Sequence, residues 1–445
     1  MRDHHFIRRL FWPIRSGFVG WLLALLCLVT SSTSLFAAVR TWDGGGGNGN
    51  WADPLNWDGD ATAPVANDDL VFAGSTQLTT TNNIATADIS FNSMTFAAAA
   101  GAFTLAGSRI TLAGNITNSS SNNQTISLSI ILNVTTCTIT TNGGAVVSGL
   151  NESVTISGVI SGPGGITKEG AIYGLRLSGA NTYTGDTTVN AGVIMPRHAT
   201  AWGNSASGTV YLNNGITVAD NDGGNRTLSN RVVVTGTVTI AIPFSNGWDF
   251  ALAGVVSGTG GFSVTSDTSG RAFTLSGSNT FSGGIAVNDS AARIVMGTNT
   301  ALGTGVFSTV STQSAGGLEC NTALTNVANA MSMASGKRLN IGGNNSSAVT
   351  LSGVISGAGS LYKQGTTGTW TLSGNNIYTG TTTVSTGTLQ IGNGGTTGSL
   401  STSSTITNNA TLIFNRTNTV TGGTDFKSGI SGTGAVTQAG SGTLI

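Results

Sequence analysis

The stretch Gly353–Gly392, GVISGAGSLYKQGTTGTWTLSGNNIYTGTTTVSTGTLQIG, is a reworded copy of two earlier ones. They are GVISGPGGITKEGAIYGLRLSGANTYTGDTTVNAGVI at 158–194 and GVVSGTGGFSVTSDTSGRAFTLSGSNTFSGGIAVND at 254–289, and a fourth, GISGTGAVTQAGSGTLI, occupies 429–445. The opening glycine and the serine of the following LSG stand 20, 22 and 20 residues apart in the first three (Gly158 to Ser178, Gly254 to Ser276, Gly353 to Ser373). Recurrence at near-constant spacing predicts a stacked solenoid rung.

Within each copy, small or polar residues alternate with β-branched and aromatic ones, as Thr369, Thr371 and Ser373 do with Trp370 and Leu372. Period two is the strand pattern. SGxG, LSGxN and TG segments punctuate the strands with residues that turn the backbone cheaply.

Residues 1–38 belong to another class. Arg2, Arg8, Arg9 and Arg15 flank the apolar run Phe18–Val29, and TSSTSLFAA follows. This is the layout of a secretory signal peptide, cleaved near Ala37 or Ala38; the run is short for a bilayer core of roughly 30 Å.

Without that leader the chain has 14 basic and 17 acidic residues, with no basic patch to meet phosphates, so nucleic-acid partners are disfavoured. Charged residues make up 8% of the whole chain and Gly 66 of 445 positions, yet 39% apolar content placed at period two argues for a packed face over disorder. Cys137 and Cys320 remain after maturation; they read as small buried hydrophobes, although an exported protein could pair them.

A head at 39–75 holds Trp42, Trp51 and Trp57 with Asp43, Asp53, Asp58, Asp60, Asp68 and Asp69. The leading reading is a cap closing the end of the solenoid at 76–445. Calcium bound by the carboxylates is one alternative, though a DxDxDG register is missing, and a sugar stacked on exposed indoles is the other. ADNDGG at 219–224 reads as a tight turn, since no acidic residue follows at ion-loop spacing. Asn122, Asn123, Asn142 and Asn151 fall at expected turns, where stacked amides can bridge rungs.

Catalytic chemistry is sparse. His198 is the one histidine beyond the leader, no GxSxG occurs, and Glu152, Glu169 and Glu319 are the only glutamates. Lys168–Glu169 becomes Val264–Thr265 in the second copy and Lys363–Gln364 in the third. Such variation reads as a solvated face, so no enzyme is predicted.

The core SGxGxxxKxG, then LSGxNTYTGxTTVxxGxL, resembles the autotransporter-associated β-strand repeat, also called the passenger-associated transport repeat. Lys168 and Lys363, Asn181 and Asn376, Tyr183 and Tyr378, and Gly185 and Gly380 stand at its characteristic positions. The second copy keeps Asn279 and departs with Val264 and Phe281. The WDGGGGNGNWADPLNWDGD head also looks like the opening of such proteins.

The resemblance implies an all-β, right-handed parallel β-helix, exported to the surface of a diderm bacterium or released, with repeats assisting secretion and folding. It implies a structural or adhesive passenger whose partner is an extracellular glycan or other surface ligand. The alternative is a carbohydrate-binding or carbohydrate-cleaving β-helix. Family members carry an outer-membrane translocator barrel; the chain stops inside a repeat, so it reads as incomplete. The rings of Tyr183, Phe281 and Tyr378 are expected to stack as one column.

Overall fold

The computed structural model describes residues 37–147, 150–219, 224–242, 249–266, 270–289, 291–310, 317–343, 347–365 and 368–445. The chain divides into two units, Met1–Ala38 and Val39–Ile445. The signal-peptide residues 1–36 and most of ADNDGG lie outside the described residues.

Among the described residues the second unit is built of short strands, with one three-residue 3-10 turn at Pro54–Asn56 in the head. Among the described residues every strand pairing is parallel except Ala145–Val147 against Leu150–Ile156, and the isolated Trp42–Trp57 bridge is also antiparallel. Pairs such as Ile166 with Thr187, Thr187 with Val210 and Val210 with Val232 show that one turn takes 21–23 residues. Alternation produces this wall: in Thr411–Arg416, for example, Leu412, Phe414 and Arg416 point inward and Thr411, Ile413 and Asn415 outward. The inward residues form one continuous core from Trp42 to Phe426.

Three faces succeed one another in each turn. The first face begins as a ten-stranded sheet running from Val39–Trp42 to Val256–Ser257. A sheet running from Thr79–Asn82 to Ile355–Gly357 forms the second. The third begins with four strands, from Ser90–Phe91 to Ile160–Ser161, and resumes as a new ten-stranded sheet at Arg226–Leu228. The first face likewise resumes as a six-stranded sheet at Leu324–Val327.

The places where sheets end are the repeats. Ile160–Ser161, Val256–Ser257 and Ile355–Gly357 lie directly after Gly158, Gly254 and Gly353, and each is the last strand of its sheet. The copies therefore fall on the third, first and second faces in turn. Their spacing explains this: 96 and 99 residues separate the opening glycines, which is four turns and one face more. At every interruption the other two sheets run through; Ile166–Thr187 and Leu175–Ile194 pairings, for instance, cross the first.

This arrangement corrects the expected aromatic column. Tyr183, Phe281 and Tyr378 are buried, but on three different faces and about four turns apart, because the copy spacing is not a whole number of turns.

Candidate functional site

The repeat positions form one local device, made three times. In the first copy the LSGANTYTG segment follows strand Gly174–Leu177 where a third-face strand would be due. Its backbone still touches the strand below, through Thr182 N–H to Ile160 O (2.8 Å) and Thr184 N–H to Gly162 O (3.0 Å). Asn181 completes the contact: Oδ1 accepts from Ile160 N–H (2.9 Å), and Nδ2 donates to Ala201 O in the turn above (2.9 Å). Asn279 makes the same pair with Val256 N–H (2.8 Å) and Ala301 O (2.8 Å), and Asn376 with Ile355 N–H (2.9 Å) and Ser399 O (3.0 Å).

Two residues on, the ring turns into the core. The Tyr183 hydroxyl meets Thr187 Oγ1 at 2.6 Å; the Tyr378 hydroxyl meets Thr382 Oγ1 at 2.5 Å, which in turn reaches Ser404 Oγ at 2.8 Å. Burial drives both phenols well above their ordinary pKa. In the next turn Gly203 (φ +75°) lies on the Tyr183 ring and Gly303 (φ +68°) on Phe281; a Cβ at either would come within 3 Å of the ring. Gly185 and Gly380 are required by close approach of two backbones, since a Cβ would sit 2.4 Å from Gly165 N and 2.2 Å from Gly359 O.

The lysines overturn an expectation. Lys168 and Lys363, read from sequence as decorating a solvated face, are fully buried. Lys168 Nζ donates to the carbonyls of Glu169 (3.1 Å), Gly170 (2.8 Å) and Ala191 (2.9 Å). Lys363 Nζ donates to those of Gln364 (2.7 Å), Gly365 (3.3 Å) and Thr386 (3.5 Å). The long side chain runs inward and caps carbonyls of a tight turn, sharing Glu169 O with Thr141 Oγ1 (3.0 Å), a use that neighbouring residue types do not advertise. Burial pulls Lys168 down to about 7, against the opposing pull of Glu169, and Lys363 down to about 8.

The head is corrected as a sugar-stacking surface. Trp42, Trp51 and Trp57 are 0%, 0% and 1% exposed, packed edge to face with Trp57 in the middle and Phe72 against all three. A ring without an open face cannot stack on a pyranose. Trp51 Nε1 donates to Thr80 Oγ1 (2.8 Å) and Trp57 Nε1 to Trp51 O (2.9 Å), which fixes the cluster against the first turns. Of the head carboxylates, Asp43 accepts from Gly45 N–H, Asp53 from Leu55 N–H and Asn48, Asp68 from Arg40 and Val65 N–H, and Asp69 from Asn92 and Ser93. Among the described residues no group of three or more His, Cys, Asp or Glu is placed to hold a metal ion.

The glutamates are engaged by neighbouring turns. Glu152 pairs with Arg176, Glu319 pairs bidentately with Arg293 (3.0 and 2.7 Å), and Glu169 accepts from Asn190 (2.5 Å). Cys137 and Cys320 are buried free thiols, pushed up to about 12 and about 11 by burial, so they are poor nucleophiles. The His198 ring bonds locally, to Thr200. A shallow groove of about 690 Å³ is lined by Asn133, Thr135, Pro163, Gly185 and Asp186.

Sequence reasoning found Asn181, Tyr183 and Gly185 and their counterparts but missed Thr187, Thr382, Ala201 and Gly203. The TTV after TYTG was a usable signal, because its first threonine falls four residues after the tyrosine wherever the tyrosine is present.

These features define a class, a parallel β-solenoid whose sheets end at sequence repeats. The passenger-associated-transport-repeat family matches residues 174–194, 272–289 and 361–391, so the chain carries these repeats. An adhesin, the BmaC autotransporter of Brucella suis biovar 1 (strain 1330), is 47% identical over 83 residues. That match covers 18% of this chain and 2% of the relative. No solved structure matches.

Proposed function

We propose that this chain is part of an exported passenger, displayed on the cell surface or secreted, in which the solenoid supplies reach and an adhesive scaffold and performs no catalysis. The observation that carries this reading is the engagement of the repeats' characteristic side chains. The Lys, Asn and Tyr positions bond the chain's own backbone or buried hydroxyls, and all are buried. Paired or turn-bonded glutamates and buried thiols fit the same reading. The adhesin named above and the repeat family support export.

The test has two parts. Protease added to intact cells expressing the chain should remove it while cytoplasmic markers survive; full protection would sink the export reading. Purified protein on a glycan array, with calcium and with chelator, should show whether the ligand is a sugar. A calcium-dependent hit would revive a metal-assisted carbohydrate role, and turnover of a bound glycan would overturn the non-catalytic reading.

A further inference from the structure

A buried side-chain amide appears at the same point in all three copies, bonded to the turn below and to the turn above. An asparagine amide carries the same acceptor and donor as a peptide group. In an ordinary turn Ile130 N–H reaches a backbone carbonyl, Val159 O, of the turn above (2.9 Å). One turn later on the same face the corresponding donor, Ile160 N–H, reaches Asn181 Oδ1 in place of a backbone oxygen. The substitution replaces one ladder acceptor, while Thr182 and Thr184 keep their bonds to Ile160 O and Gly162 O and the ring at Tyr183 turns inward. It leaves no buried donor orphaned at the last strand.

We propose that each repeat is a sheet-exchange joint. The amide of Asn181, Asn279 or Asn376 replaces a backbone peptide, so one parallel sheet ends inside an uninterrupted rod. On the third and first faces a successor sheet opens after two loop-bearing turns, closed by a second buried amide. Asn230 Nδ2 donates to Trp202 O (3.1 Å), and Asn329 Nδ2 donates to Gly303 O (3.1 Å) and Gly305 O (2.9 Å). Because successive copies are offset by one face, the joints give the solenoid loop-bearing facets in three directions.

Hydrogen exchange read by mass spectrometry on the full chain tests the joint at the second copy. Asn279→Ala should speed exchange in 254–258, which contains the Val256 amide, by about tenfold to a hundredfold, the size of effect expected for an orphaned buried donor. Segments 158–162 and 353–357 should keep wild-type protection and serve as controls.

Asn279→Asp separates amide mimicry from space-filling. A protonated carboxyl offers one acceptor and one donor, so this variant should match wild type at acid pH; ionisation keeps the acceptor for Val256 N–H but replaces the donor to Ala301 O with a repelling charge, which should drive the side chain from the joint and lower protection in 254–258. It also reads the joint should the alanine variant fail to fold. Unchanged Val256 protection in Asn279→Ala, or alanine and aspartate variants that behave alike at every pH, would overturn the proposal.

Discussion

The first and third copies and the second copy end a sheet in the same way with different chemistry. In the first and third, a buried lysine caps turn carbonyls and a tyrosine hydroxyl meets a threonine four residues on. In the second, Val264 replaces the lysine, Phe281 the tyrosine, and Ile285 the threonine. The bridging asparagine and the glycine of close backbone approach, Gly185, Gly283 or Gly380, remain in all three. The difference shows which parts fix the backbone and which are interchangeable anchors. It also shows anchors changing in pairs, as expected when half of a buried hydrogen bond is worse than none.

The largest expected effect should be common to all copies and so should not break the comparison. Phe281→Ala or Tyr378→Ala empties a fully buried ring site and should cost about 3–5 kcal/mol by urea denaturation. A markedly smaller loss at Phe281 would mean that the apolar copy packs differently from the others.

Lysine is where the copies should diverge. Lys168→Met takes the Nζ donor from the carbonyls of Gly170 and Ala191, while Glu169 O keeps Thr141 Oγ1, and should destabilise by about 1–3 kcal/mol; Val264→Met in the second copy breaks no hydrogen bond and costs only the overpacking of a larger side chain, about 1–3 kcal/mol. The two variants should differ in pH dependence. Lys168 titrates near 7 when folded against 10.5 when free, so between those values the unfolded chain binds more protons and stability rises with pH. Lys168→Met should remove that rise, as followed by denaturation midpoints from pH 6 to about 10.5; an unchanged slope would refute the assignment to Lys168.

A smaller effect converts one kind of copy into the other. Tyr183→Phe alone should lose about 1 kcal/mol, and the pair Tyr183→Phe with Thr187→Ile should recover most of it, read as the coupling in a double-mutant cycle. Smallest of all, Arg109→Ala removes an exposed ion pair with Asp88 away from any repeat and should leave the denaturation midpoint unmoved.

Much of the fold was legible because period-two alternation and recurring turns are local properties. The solenoid, the inward Leu and Ile residues and the motif positions follow from them. Face rotation was not legible, because it depends on the remainder when copy spacing is divided by turn length, and the turn length is set by packing. Lys168 was misread for a related reason: sequence identifies its charge, while its fate depends on three carbonyls, one of them from Ala191, a turn away. For Trp42, Trp51 and Trp57 the residue types are plain in the sequence, but exposure cannot be read from an aspartate-rich context, and here the indoles cover one another.

The staggering of the interruptions bears on proteolytic damage. A cut between Thr182 and Gly185 severs the chain at a level where first-face and second-face ladders pass through unbroken and Tyr183 remains seated in the core. The two fragments are expected to stay stitched along both ladders, so a nicked molecule should migrate as one particle in native conditions and separate only in denaturant.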